Sequence, residues 1–245
     1  MDNRKIYQSK EFSIAWDKHQ REKEDVLRTR LMNKILLKEL NYLKGKIVLD
    51  AGCGNGFFIK SLQNLKPKKL FAFDISETLN GIVKKENLDM EIKTADLLEK
   101  LPYKNNQFDV TVCYNVLMDL PKIENAIKEL ARITKKELHI VIVHPLYNLF
   151  FNDKKAQEET TTQRLQRYTK EEHLEVSTIP GYENFIVYRR PISDYVNSFM
   201  KSNLIIEKML EVPINEEVSK VVMKYKERIG VPVFIYFKLR KYNHL

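Results

Sequence analysis

Nine residues constrain this chain more than any other stretch: Val48-Leu49-Asp50-Ala51-Gly52-Cys53-Gly54-Asn55-Gly56. A short apolar run bounded by Gly45 reads as a buried strand, and it ends in a turn with glycine at three alternate positions. Phe57 to Leu65 then reads as a helix, stopped by Pro67. A strand, a glycine turn and a helix form the opening unit of a nucleotide-binding α/β fold, because glycine permits positive φ and lets a ligand approach the backbone. In a dinucleotide site the third glycine of GxGxxG would fall at position 57, where this chain has Phe57. The spacing is GxGxG instead, and Asp50 at the strand end repels a pyrophosphate while favouring a cation.

The same rhythm continues along the chain. Leu70 to Phe73 is a second strand, and Ser76 caps a helix through Lys85. Met90 to Thr94 is a third, weaker strand and Phe108 to Tyr114 a fourth. Ile123, Ala126, Ile127, Leu130 and Ile133 mark a helix after Pro121, and Leu138 to Val143 is a fifth strand. This alternation predicts a parallel sheet covered on both faces. Upstream, Leu27, Leu31 and Ile35, with Met32, Leu36 and Leu40, give helical spacing across 17–42. Downstream, 145–190 is polar, aromatic and irregular. Pro191 opens a helix, Leu204 begins a sixth strand, Val218 to Ile229 is helical, and Val233 to Leu239 is a last strand. The expectation is one α/β domain, a Rossmann-like doubly wound sheet. It has a helical segment over 1–44, a cofactor-binding core over 45–144, a cap or lid over 145–190, and helices and strands over 191–245 that complete the sheet.

Composition excludes several classes. Of 245 residues 43% are hydrophobic and 31% charged, as in an ordinary globular chain, and seven glycines are too few for a turn-dense all-β fold. No apolar run approaches the roughly 20 residues of a membrane span, and the N-terminus lacks the apolar stretch of a signal peptide. Cys53 and Cys113 cannot build a disulfide framework, and His19, His139, His144, His173 and His244 share no ligand spacing. A cytoplasmic protein without metal or membrane association is expected. The net charge is +9, yet 47–200 is balanced and the excess lies in the terminal segments, which argues against a nucleic-acid partner. Oligomeric state is not legible.

Asp74 lies 22 residues past Gly52 at the end of the second strand, placed to accept from both ribose hydroxyls. Asp96 follows the third strand, placed to accept from an adenine amino group with Leu97 near the ring. At this point the chain resembles the class I S-adenosylmethionine-dependent methyltransferases over about residues 45–145. Leu49 to Gly56 is similar to that family's first motif, Phe73-Asp74-Ile75-Ser76 to its second-strand motif, and Ala95-Asp96-Leu97 to its adenine motif. Phe108-Asp109-Val110 resembles the opening of its fourth strand, Asn115-Val116-Leu117-Met118-Asp119-Leu120 its cofactor-lining segment, and Glu129 to Ile133 the next helix. Thr134-Lys135-Lys136-Glu137 departs from the Lys-Pro-Gly-Gly of many relatives and reads as a shortened turn. Arg190 to Tyr195 resembles a helix of small-molecule members. The resemblance implies a seven-stranded sheet with its last strand antiparallel, S-adenosylmethionine as cofactor and S-adenosylhomocysteine as product. The implied cofactor residues are Asp50, Ala51, Gly52, Cys53, Gly54, Asn55, Gly56, Asp74, Ile75, Ser76, Asp96, Leu97, Asn115, Val116 and Leu117.

Missing motifs narrow the acceptor. No Asn/Asp-Pro-Pro-aromatic run follows the fourth strand, Cys113 sits inside that strand, and no glutamate pair occurs in this region to hold a guanidinium. A small-molecule acceptor remains the leading expectation. An RNA or protein methyltransferase and a non-catalytic S-adenosylmethionine-binding protein are the alternatives. Tyr147, Phe150, Phe151, Tyr168, Tyr182, Phe185 and Tyr188 suit a mobile lid over a flat or apolar acceptor. The same aromatics also suit a satellite core or an RNA-stacking surface. His144, just after the fifth strand, is the candidate general base, or else it supports the His-Pro turn. Tyr7, Trp16 and His19 either close over the cofactor or pack their helix.

Overall fold

In a computed structural model describing residues 3–86, 89–153, 158–176, 179, 181–182 and 185–242, the strands appear where the apolar runs lie. They are β1 (Ile47–Ala51), β2 (Lys69–Asp74), β3 (Glu91–Thr94), β4 (Phe108–Tyr114) and β5 (Thr134–Val143), then β6 (Glu172–Val176), β7 (Phe185–Arg189), β8 (Leu204–Pro213) and β9 (Pro232–Lys241). Seven of them form one sheet in the order β3-β2-β1-β4-β5-β9-β8. β1 to β5 are parallel, and β9 runs antiparallel to both β5 and β8. β6 and β7 make a separate antiparallel hairpin.

Helices cover both faces, which is why Val48, Leu49 and Ala51 on the inner strand β1 are all fully buried. The helices are α1 (Asn3–Gln8), α2 (Lys10–Glu22), α3 (Asn33–Glu39), α4 (Ile59–Asn64), α5 (Glu77–Lys85), α6 (Glu124–Ile133), α7 (Pro145–Tyr147), α8 (Thr161–Arg167), α9 (Ile192–Lys201) and α10 (Glu216–Val221). One core lies under α6 and α9, where Ala126, Ile127, Leu130, Tyr195 and Phe199 meet the sheet. The other holds Met32, Leu36 and Leu40 with Ile59 and Leu62. A third, smaller cluster joins the N-terminal helices to the hairpin: Phe12 of α2 packs with Leu174, Val176, Phe185 and Val187 of the hairpin and with Met118.

Four expectations are corrected. The periodic stretch 17–42 is not one helix. α2 stops at Glu22, Lys23 is extended, and a π-helical turn (Arg28–Met32) leads into α3. Arg21 to Asp25 is a run of five charged side chains with no apolar stripe to bury, and Asp25 instead accepts from Arg28 N at 3.1 Å. Thr134 to Glu137 is not a turn. α6 passes directly into β5, with Thr134 Oγ1 donating to Leu130 O at 2.6 Å. The helix expected over 218–229 breaks at the extended, β-branched Val222 into α10 and a 3₁₀ turn, Met223–Arg228. The segment 145–190 is not irregular; it holds α7, a π-helical turn (Asn148–Asn152), α8 and the hairpin. β6 escaped notice because only Leu174 and Val176 on it are apolar.

Candidate functional site

The carboxyl ends of β1, β2 and β4 open into a cavity of about 550 Å³ roofed by α1, α2 and the hairpin. Its floor is the glycine turn. Gly52 has φ +75°, and a Cβ there would lie 2.5 Å from Val116 Cγ2, so no side chain fits. Gly52 N and Cys53 N both donate to Phe73 O, folding the turn onto β2. Asp74 completes the fold: its Oδ2 accepts from Gly54 N at 2.8 Å and its Oδ1 from Ser76 N at 2.9 Å. Burial raises the Asp74 pKa even so.

Of the residues expected at the cofactor, Asp50, Gly52, Cys53, Gly54, Asn55, Asp74, Ile75, Asp96, Leu97, Asn115 and Val116 line this cavity. Ala51, Gly56, Ser76 and Leu117 stand behind the wall. Ala51 and Leu117 belong to the core, and Gly56 abuts Val83. Ser76 caps α5 through Leu79 N and meets Ser13 Oγ at 2.7 Å. The structure does not bring His144 to the cavity. Its Nδ1 accepts from Leu146 N at 3.1 Å, capping α7, and its Nε2 lies 2.9 Å from Glu211 Oε1. Desolvation lowers its pKa. Only Phe151 and Phe185 of the seven aromatics over 145–190 reach the wall; Tyr7, Trp16, Phe57, Phe58 and Tyr114 supply more. His19 does not line it.

Sequence reasoning missed the contributions of Asn3, Arg4, Gln20, Asp25 and Arg28, which the helical N-terminal segment carries onto the wall. Asp119 stands out in the sequence only as a member of the post-strand segment. Asp119 Oδ2 accepts from Tyr7 Oη at 2.7 Å inside the cavity. Its charge in an otherwise uncharged post-strand segment, Asn115 to Leu120, was the available signal.

The wall is acidic. Asp25, Asp50, Asp74, Asp96 and Asp119 face it against Arg4 and Arg28. Asp25 pairs with Arg28 at 2.7 Å, and Asp96 lies 3.6 Å from Arg4. Asp50 Oδ2 is buried with no hydrogen-bond partner, and burial, reinforced by Asp74, pushes its carboxyl up to about 7. Such a site is complementary to a cation. In folded protein Asp50 keeps its proton over a range where the unfolded chain has lost it. Stability therefore falls as pH rises from about 4 to about 7. Thermal unfolding across that range is expected to slope down more steeply for the parent than for Asp50→Asn, and parallel curves would refute the assignment. Among the described residues no His, Cys, Asp and Glu cluster is arranged to hold a metal ion, and no helix is long and apolar enough to cross a membrane.

Residues 49–142 match the family model described as a methyltransferase domain. The chain is 34% identical over 116 residues to a tRNA U34 carboxymethyltransferase of Helicobacter pylori, covering 44% of this chain and 43% of that one. It is 34% identical over 106 residues to a malonyl-[acyl-carrier protein] O-methyltransferase of Buchnera aphidicola, covering 43% and 42%. The chain thus spans less than half the length of either curated relative. An S-adenosylmethionine-dependent methyltransferase from Mesorhizobium loti superposes with a TM-score of 0.70 at 16% identity, covering 84% of this chain and 96% of that one, which is a likeness of fold.

Proposed function

From a chain that carries a methyltransferase domain within the class I S-adenosylmethionine-dependent fold, we propose a methyl transfer in line from S-adenosylmethionine to a small-molecule acceptor. The observation that carries this reading is the roofed, acidic cavity at the carboxyl edge of the sheet, of a size that suits a cofactor and a compact acceptor. The cofactor supplies a methyl group already activated on a sulfonium. The chain's own residues bind, align and exclude water. Asp74 keeps lone pairs to offer a ribose diol beyond those taken by Gly54 N and Ser76 N. The unpartnered Asp50 Oδ2 offers negative charge to a cationic ligand, and Asp96 with Leu97 frames the adenine end. Cys53 and Cys113 are free and buried, which supports the cytoplasmic setting.

An RNA acceptor is the second reading, favoured by likeness to the tRNA U34 carboxymethyltransferase. It requires a single base to leave its stack and enter beneath the hairpin. Calorimetric titration tests the cofactor: S-adenosylhomocysteine is expected to bind and NAD not to, and tighter binding of NAD would refute the proposal. Label from methyl-tritiated S-adenosylmethionine is expected in the metabolite fraction of an extract. Label confined to RNA or protein would replace the small-molecule reading.

A further inference from the structure

Asp119 ends a 3₁₀ turn, Leu117–Asp119, after β4. One local contact and two from α1 hold it. Its amide donates to Val116 O at 2.9 Å, and its carbonyl accepts from Asn3 Nδ2 at 3.1 Å. Asn3, itself buried, also donates to Ile186 O and accepts from Ile186 N at 3.2 Å, tying α1 to β7 across the same point. The carboxylate accepts from Tyr7 Oη, and Tyr7 meets Phe185 edge-on at 5.3 Å between ring centres. Met118, Val176, Phe185 and Val187 line the surrounding wall. A carboxylate is therefore fixed among apolar surface with a phenol as its hydrogen-bonding side chain.

The titratable groups coupled to it are Tyr7 of α1, on which Asp74 at the end of β2 also acts, and Tyr195 of α9. Arg190 nearby gives its guanidinium to the carbonyls of Leu120 and Pro121 and to Glu171. Of the five wall carboxylates, Asp25 and Asp96 face arginines, which leaves Asp50, Asp74 and Asp119 to balance bound ligands. A cofactor with a sulfonium, an ammonium and a carboxylate brings only one net positive charge.

We propose that Asp119, positioned by Tyr7, takes the proton of the methyl acceptor, and that the acceptor is a small amine on an apolar or aromatic body. This rests on the methyl-transfer reading above. The ammonium gives a proton to the Asp119 carboxylate. The nitrogen lone pair so freed forms the N–C bond as the C–S bond breaks, its pair staying on sulfur as the thioether, and nitrogen takes up the positive charge. Asp119 then returns its proton to water. Burial pushes the Asp119 carboxyl up to about 7, while an alkylammonium resembles lysine at about 10.4. That gap is crossed readily in a transition state, and an ammonium, unlike a neutral alcohol, supplies further positive charge to an acidic wall. A phosphate or carboxylate acceptor would meet like charge.

The test uses phenethylamine and tryptamine, with 2-phenylethanol as control, titrated into the protein saturated with S-adenosylhomocysteine and assayed for transfer from methyl-labelled S-adenosylmethionine. The amines are expected to bind and accept methyl, and the alcohol not. Asp119→Asn should keep S-adenosylhomocysteine affinity, weaken the amines roughly 10- to 100-fold, and lower kcat/KM by about 100-fold or more while flattening its rise with pH. Tyr7→Phe, which removes a hydrogen bond to the ionised carboxylate, should move the pH midpoint upward. Amines that neither bind nor accept methyl, an alcohol methylated as well, or an unchanged pH profile in Asp119→Asn would each overturn the assignment. Loss of S-adenosylhomocysteine binding by the parent would instead overturn the methyltransferase reading.

Discussion

Replacing Asp74 by alanine is expected to weaken S-adenosylhomocysteine binding by roughly 2–4 kcal/mol, the scale of a charged acceptor lost from a buried site. The carboxylate has two duties. In the proposed site it receives the ribose hydroxyls, and in the protein alone it already holds Gly54 N and Ser76 N. Alanine leaves both amides without an acceptor and loosens the turn that forms the cavity floor. Asp74→Asn retains one acceptor oxygen for two amides and is expected to fall between the parent and Asp74→Ala. Calorimetry on folded variants is the measurement, and an unchanged affinity in Asp74→Ala would remove this residue from the cofactor site.

Arg189→Met is expected to destabilise the protein by roughly 3–5 kcal/mol, as removal of one partner from a buried charged network does. Arg189 has no exposed side-chain surface. Its guanidinium donates to the carbonyls of Arg167, Tyr168 and Lys170 at 2.6 to 2.8 Å and to Glu172 Oε2 at 3.0 Å. Methionine fills much of the volume but takes the donor from the carbonyls of Tyr168 and Lys170 just past α8, while the Arg167 carbonyl keeps Lys170 N at 3.1 Å and Glu172 keeps Arg167. β7 also presents Phe185 and Val187 to the cavity, so the change reaches the acceptor side of the site. Urea unfolding gives the magnitude, and hydrogen exchange should show protection lost first at β6 and β7. A loss below about 1 kcal/mol would mean that the apolar face of the hairpin holds the roof without Arg189.

The glycine turn, the Ser76 cap and the five parallel strands were legible because their interactions are local. Asp74 reaches Gly54 only 20 residues away, Ser76 caps a helix through Leu79, and a right-handed crossover then orders consecutive strands. Eleven of the fifteen cofactor residues implied by the motifs line the cavity for the same reason, since each sits at the end of a strand whose place the pattern determined. The contacts that hold the roof were not legible. Asn3 meets Ile186 across 183 positions and Tyr7 meets Asp119 across 112. Hydrophobic periodicity tells which face of an element is buried but not what buries it. A polar side chain with a partner half a chain away reads the same as one in water. Asn3 and Arg28 carried no signal, Asp119 was marked only by its segment, and His144 read equally as a base or as support of the His-Pro turn, until the packing of α1 and α2 against the hairpin brought the first three to the cavity and left His144 capping a helix behind it.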